Sequence, residues 1–203
     1  MNKKTFSLIC AISCSFIWGT GFVAQDMGMD FIGPFTFTAG RMFLGFATLI
    51  PFFFIFEFKK VKETNLNLKI VIGYLILLGF FLAGGNILQQ VSLLYTDVAN
   101  SAIFTVLYVV IVPIIAYFLF SKKIHRSVWL AVFMCLIGGL LLSEINNLRV
   151  RYGDSLVIIG AFFWAFHIVY ISKFLKIFNF PITIATFQCF FGAIFCFIPA
   201  VTF

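Results

Sequence analysis

Residues 98–120 read VANSAIFTVLYVVIVPIIAYFLF, a stretch without a single charged side chain. An α-helix needs about 20 consecutive, mainly apolar residues to cross the hydrocarbon core of a bilayer, which is roughly 30 Å thick. The stretch therefore has the length and the composition of a transmembrane helix. The chain on either side repeats this pattern, with apolar runs separated by short polar segments.

Seven runs of this kind are predicted to span the membrane. Because the segments between them are short, consecutive helices are expected to run antiparallel. The sequence thus predicts an all-α, polytopic transmembrane helix bundle. The predicted spans cover residues 5–25, 34–56, 70–94, 98–120, 128–143, 155–174 and 182–203.

The composition excludes a soluble protein. The chain is 63% hydrophobic and only 10% charged, whereas a soluble domain carries about 25% charged residues. The net charge of +7 does not indicate a nucleic-acid partner, because the basic residues stand in short clusters between apolar runs. The lipid bilayer is the predicted partner. The five cysteines all lie inside apolar runs and predict neither a disulfide framework nor a metal site.

The basic clusters predict the orientation of the chain. Eleven Lys and Arg residues lie in alternate loops, while the other loops carry only Arg149 and Arg151. Because positive loops face the cytoplasm, the N-terminus is predicted to be cytoplasmic, in the inner (plasma) membrane. The first apolar run continues through Trp18 without an A-x-A cleavage site, so it is interpreted as an uncleaved helix rather than a signal peptide.

An internal repeat relates the two ends of the chain at an offset of about 147 residues. The offset corresponds to five helices, and an odd number of helices starts the second copy from the opposite face of the membrane. Residues 1–146 are predicted to form the first five-helix repeat and residues 147–203 the two-helix start of an inverted second one. The sequence is thus expected to be a fragment of a ten-span protein, or to come from a prematurely ended frame. The matched residues are Trp18 with Trp164, Pro34 with Pro181, Thr36 with Thr183, Arg41 with Gln188, Phe43 with Phe190 and Gly45 with Gly192.

Four short motifs occur along the chain: FIWG at residues 16–19, GR at residues 40–41, LYTDVANSA at residues 94–102 and GGLLL at residues 138–142. In this order they resemble motifs of the first and second helices, of the junction between the third and fourth helices and of the fifth helix in the EamA family of the drug/metabolite transporter superfamily. The resemblance implies a ten-helix transporter that moves metabolites such as amino acids or drugs without ATP hydrolysis. The chain departs from the family at residues 121–124, SKKI, where an acidic residue is frequent, which puts in doubt any role of that acid.

Polar residues inside predicted spans are the candidate substrate-binding residues, because they are costly in a bilayer unless they face a cavity or a partner. Arg41 is interpreted as attracting an anionic group such as a substrate carboxylate. Its alternatives are snorkelling to the interface and an ion pair with Asp26 or Asp97. Gln188 is a candidate as its repeat counterpart, and His167 is a candidate for proton coupling or, alternatively, for a hydrogen bond inside the bundle.

The remaining candidates lie on the third and fourth spans and at the tryptophan pair. Hydrogen bonding and close packing between helices are the alternatives for the polar ones. Trp18 and Trp164 are interpreted as stacking on a substrate or as packing residues, and Pro113 is expected to interrupt the fourth span. The full predicted set is Trp18, Arg41, Asn86, Gln90, Asn100, Tyr108, Trp164, His167 and Gln188.

The sequence predicts a secondary transporter that moves a small metabolite across the inner membrane by alternating access. It contains no P-loop, G-x-S-x-G or H-E-x-x-H motif, so neither an enzyme nor a cofactor is predicted. The alternatives are a truncated membrane protein that does not transport and an integral-membrane enzyme. A homodimer is left open as a further association.

Overall fold

The computed structural model describes residues 2–64, 66–121, 124–142 and 151–202. These residues form nine α-helices, which confirms the all-α prediction. Lys122, Lys123, Glu144 and Arg149, which entered the prediction of orientation or of the span ends, lie outside the described residues. The helices are α1 (Lys3–Gly28), α2 (Pro34–Phe56), α3 (Phe58–Lys62), α4 (Leu68–Ser92), α5 (Val98–Thr105), α6 (Tyr108–Phe120), α7 (Arg126–Leu142), α8 (Tyr152–Ile177) and α9 (Pro181–Thr202).

Six segments within these ranges are long and apolar enough to cross a membrane. They are α1, α2, α4, α8, α9 and the joined pair α5–α6, and they correspond to six of the seven predicted spans. The seventh predicted span corresponds to α7, a shorter apolar helix. The protein is therefore a multi-pass membrane protein.

Local sequence explains where several helices begin. The side-chain oxygen of Asn67 accepts a hydrogen bond from the Lys69 amide at 3.0 Å and caps α4. Pro34 and Pro181 open α2 and α9 at the first helical position, where the missing N–H costs nothing. The two prolines are counterparts in the sequence repeat, and each begins a helix.

The fourth span is broken at Val106 and Leu107, not at Pro113. The Leu107 amide donates to the Phe104 carbonyl at 3.2 Å, and the Val109 amide donates to the Val106 carbonyl at 2.9 Å. These bonds reach back three residues instead of four, which tightens the chain into a turn between α5 and α6. The predicted position of the interruption is wrong: Pro113 is buried inside α6. Because Pro113 has no N–H, it cannot donate a hydrogen bond to the Val109 carbonyl four residues earlier, at the end of the tightened turn.

The helices pack as a bundle around α4 and α8. α2 runs along α9, α4 contacts both α8 and α9, and α5 and α6 lie against α8. One core cluster joins four helices through Ala39, Met42, Leu82, Ala83, Trp164 and Cys196. A second cluster, at the other end of α4, consists of Val71, Leu75, Leu78, Phe174, Phe178 and Ile184.

The contacts between α2 and α9 are reciprocal. A Cβ atom added at Gly45 would lie 3.5 Å from the Sγ of Cys189, and one added at Gly192 would lie 3.6 Å from the Sδ of Met42. In the repeat alignment Gly45 corresponds to Gly192 and Met42 to Cys189, so each contact is the counterpart of the other. Such self-complementary contacts are typical of a two-fold relation.

Candidate substrate site

Arg41 binds Asn86 within the bundle. Arg41 is half-buried on α2, and its Nη2 donates to the Oδ1 of Asn86 on α4. The Nδ2 of Asn86 donates to the Leu82 carbonyl at 2.7 Å, which turns its oxygen towards the guanidinium. Among the described residues the only ion pair joins Arg151 to Asp97, at 2.5 Å. The alternative in which Arg41 pairs with Asp97 or Asp26 is therefore wrong.

Gln90 connects α4 to α1. Its side chain is fully buried, and its Nε2 donates to the backbone carbonyl of Gln25 at 3.1 Å. Within the described ranges, the Oε1 atoms of Gln25 and Gln90 are both buried without a hydrogen-bond partner. Gln25 was not predicted from the sequence. It follows Trp18 by seven residues, a spacing that places both side chains on one face of α1.

The two tryptophans of the repeat are neighbours. The rings of Trp18 and Trp164 lie 5.3 Å apart between centroids, at an interplanar angle of 56°. The Nε1 of Trp164 is buried and has no hydrogen-bond partner among the residues that the structure describes, and a Cβ atom added at Gly85 would lie 3.0 Å from it. The absence of a side chain at Gly85 therefore lets the indole lie against α4, beside Asn86.

His167 and Gln188 extend this group of side chains. The Nε2 of His167 lies 2.9 Å from the Oε1 of Gln188, and the imidazole meets the Trp164 ring edge-on at 6.1 Å between centroids. The repeat counterpart of Arg41 is thus linked to Trp164 through a histidine. We call this group the polar cluster; it comprises Trp18, Gln25, Arg41, Asn86, Gln90, Trp164, His167 and Gln188.

The side chains at the junction of α4 and α5 bond to one another. The Nε2 of Gln89 donates to the Oγ1 of Thr105 at 2.8 Å, and Thr105 donates to the Ser101 carbonyl at 2.7 Å. The Gln89 side chain thus joins α4 to α5 through a hydrogen bond between helices. Tyr108 packs against the four-helix core cluster, while within the described chain Asn100 makes no hydrogen bond to the polar cluster.

Two buried carboxylates lie at helix ends and were not predicted as functional. Asp154, in the first turn of α8, accepts from the Thr96 hydroxyl at 2.5 Å and from the Arg151 amide at 2.8 Å. Glu57, at the end of α2, accepts from the first turn of α9. In the sequence, Glu57 is a single acid just before the lysine cluster at residues 59–62. This contrast with its neighbours was the one signal in the sequence that could have drawn attention to it.

A separate groove lies between α2 and α9, with a volume of about 630 Å³. Its lining is apolar and includes no charged side chain, so it does not offer the chemistry of the polar cluster. Ala39 and Gly40, which precede Arg41 in the sequence, belong to its lining. The other lining residues are Thr36, Phe43, Phe190, Ala193, Ile194, Phe197, Ile198 and Ala200.

A polar cluster between helices long and apolar enough to cross a membrane defines a polytopic membrane protein with polar side chains between its helices. Residues 5–144 match the EamA-like transporter family, and the chain belongs to that family. The family predicted from the short motifs is thereby confirmed.

Curated relatives carry transporter names. The chain is 29% identical over 188 residues to an uncharacterized transporter of Archaeoglobus fulgidus, covering 93% of this chain and 56% of that protein. It is 25% identical over 157 residues to the uncharacterized transporter YoaV of Bacillus subtilis, covering 75% and 52% respectively. The chain thus spans about half the length of the curated relatives it matches. No solved structure matches.

Proposed function

We propose that the protein is a secondary transporter, or part of one, that moves a small metabolite across the inner membrane by alternating access. The observation that carries the proposal is the polar cluster, which lies inside a bundle of apolar helices in a chain of the EamA-like family. Polar side chains within membrane-spanning helices are costly unless they bind a partner or a substrate. Cooperating polar groups in the interior are therefore typical of a substrate path.

The reciprocal contacts of α2 and α9 support an inverted repeat. In the proposed arrangement, residues 1–146 form the first repeat and residues 147–203 begin the second. Gly45 and Gly192 each receive a sulfur-bearing side chain from the opposite helix, as a two-fold axis between the helices requires. Transporters built in this way place their substrate site at the interface of the repeats.

The proposed substrate-binding residues are the predicted set with one addition. Trp18, Arg41, Asn86, Gln90, Trp164, His167 and Gln188 all belong to the polar cluster, and Gln25 joins them. Tyr108 packs against the core cluster that contains Trp164, and Asn100 is proposed from its position in the sequence alone. Proton coupling through His167 has less support, since its Nε2 bonds to the amide of Gln188 rather than to a carboxylate.

The proposed orientation places the N-terminus in the cytoplasm. Glu57, next to the lysine-rich segment 59–69, contacts Thr183, which follows Lys173 and Lys176 closely in sequence. These basic segments therefore share one end of the bundle. Thr64→Cys should react with a membrane-impermeant maleimide only after the membrane is opened, and Asp30→Cys without opening it. The reverse pattern would place the N-terminus outside.

Reconstitution into liposomes tests transport. Uptake of labelled amino acids, organic acids and drugs is measured with and without a proton gradient, and we expect at least one compound to enter faster than into protein-free vesicles. Trp164→Ala should abolish that uptake, whereas Trp129→Phe, on α7 and outside the cluster, should preserve it. If no compound is transported, the alternative of a truncated protein without transport activity stands instead.

A further inference from the structure

We propose that the polar cluster binds a small organic anion, a carboxylate on an apolar body, with Arg41 holding the carboxylate. The inference deepens the proposed function and concerns the same site. It is carried by the half-buried charge of Arg41, which has no acidic partner in the described part of the chain, and by the apolar core cluster on the neighbouring turns.

The charges near Arg41 do not balance. In the described parts of the chain, the buried acids are used elsewhere: Glu57 binds the first turn of α9, and Asp154 binds Thr96. Asp97 pairs with Arg151. The other described acids, Asp26, Asp30 and Glu63, are exposed near helix ends.

The protein offers Arg41 a neutral partner instead of an acid. Asn86 accepts one hydrogen bond from Nη2, and its own amide group is fixed by the Leu82 carbonyl. A guanidinium carries five N–H donors, so one accepted bond leaves donors for a carboxylate, which pairs with arginine through two parallel bonds. The site thus keeps its positive charge and retains donors that suit a planar anion.

The surroundings of the guanidinium suit an apolar body on the ligand. Ala39, Met42, Leu82 and Trp164 share one core cluster on the neighbouring turns. Trp164 is only 6% exposed, and its ring contacts that of Trp18. A ligand carboxylate held by Arg41 could therefore place its hydrocarbon part against this apolar and aromatic wall.

Three ligands of one shape test the charge preference. Benzoate, benzamide and benzylamine share a ring and differ in charge, being anionic, neutral and cationic at neutral pH. The chain contains 3 tryptophans, and Trp129→Phe leaves Trp18 and Trp164 as reporters within the site. In this background we expect benzoate to change the fluorescence saturably and to bind roughly tenfold tighter than benzamide, with benzylamine weakest.

Two variants assign the preference to Arg41. Arg41→Gln should reduce benzoate binding to the level of benzamide, whereas Arg151→Gln, which removes an exposed arginine at the bundle end, should leave the preference intact. If Arg41→Gln does not fold, Arg41→Lys decides: a retained preference for benzoate supports the proposal, and its loss contradicts it. Equal binding of benzoate and benzamide to the unsubstituted site, or no binding of benzoate, overturns it.

An inorganic anion is the competing occupant. Sodium chloride alone should give no saturable fluorescence change; a change that Arg41→Gln removes would show that a halide, and not an organic carboxylate, fills the site. Binding of benzoate without transport of any compound would leave this inference standing and remove the proposed function. Transport of benzylamine in preference to benzoate would leave the proposed function standing and contradict this inference.

Discussion

The carboxylate of Glu57 holds Thr183 by two hydrogen bonds. Its Oε2 accepts from the backbone amide and from the hydroxyl of Thr183, both at 2.7 Å, and its Oε1 accepts from the Ile182 amide at 3.2 Å. Pro181 has no N–H, and the Ile184 amide donates to the Phe180 carbonyl. Glu57 therefore satisfies both remaining donors in the first turn of α9. The cap comes from α2, so it joins the two proposed repeats.

Glu57→Ala should destabilise the folded bundle by about 1–3 kcal/mol, because two amides at a buried helix end lose their acceptor. Thermal unfolding in detergent measures the loss. Thr183→Val removes only the hydroxyl and should cost less, about 0.5–1.5 kcal/mol. Glu63→Ala is the matched control, since Glu63 is an exposed acid in the same segment. Equal effects at Glu57 and Glu63 would show that the cap contributes nothing.

The two polar contacts at the start of α8 should differ in strength. The side chains of Arg151 and Asp97 are 51% and 66% exposed, so Arg151→Gln should cost less than about 1 kcal/mol, and less still at high salt. Thr96→Val leaves the buried Asp154 without its hydroxyl donor and should cost about 1–3 kcal/mol. Thermal unfolding of both variants at low and high salt measures which substitution lowers the stability more. A larger, salt-dependent loss at Arg151 would contradict this ranking.

Gly85→Ala should disturb the tryptophan pair. The added methyl would lie 3.0–3.1 Å from three atoms of the Trp164 indole, and overpacking of this kind costs about 1–3 kcal/mol. A shift in tryptophan emission should accompany the loss of stability, because the ring must move. Gly73→Ala lies in the same helix with nothing within 4 Å of the new methyl. It should be neutral or stabilising by up to about 1 kcal/mol; equal losses in both variants would indicate a general effect on α4.

Arg41→Gln should leave the empty protein more stable, by about 1–2 kcal/mol, while it removes benzoate binding. The amide of glutamine can still donate to Asn86, but the uncompensated charge is gone, and a charge costs roughly 2.5–3.5 kcal/mol at the centre of a bilayer on insertion scales. Thermal unfolding without ligand measures the difference. A clear loss of stability would instead reveal an acidic partner that binds Arg41 in the membrane.

Some of this architecture could be predicted because its signals are local. Six spans follow from hydropathy alone, and the repeat pointed to Trp18 and Trp164 as counterparts that turn out to be neighbours. The Glu57 cap could not be predicted, since it joins residues that are 125 and 126 positions apart. Similarly, nothing in the sequence distinguishes Asn86 from an acid as the partner of Arg41, because that choice depends on how α2 lies on α4.

The position of the break in the fourth span was mispredicted for a different reason. Proline removes one backbone donor, but neighbouring helices and local adjustments let a transmembrane helix continue past it. Here Pro113 stays within α6, and the break lies at Val106 and Leu107.

The tightened turn divides the fourth span into two pieces, of which α5 is the first and α6 the second. The first piece packs against α8 and bonds to α4 through side chains such as Thr105 and Gln89, and the second piece also packs against α8. Each hydrogen bond contributes about 0.5–1.5 kcal/mol net. Tilting the first piece alone would therefore break its hydrogen bonds to α4 and also separate it from α8, so the two pieces are divided in backbone but held by the same neighbour.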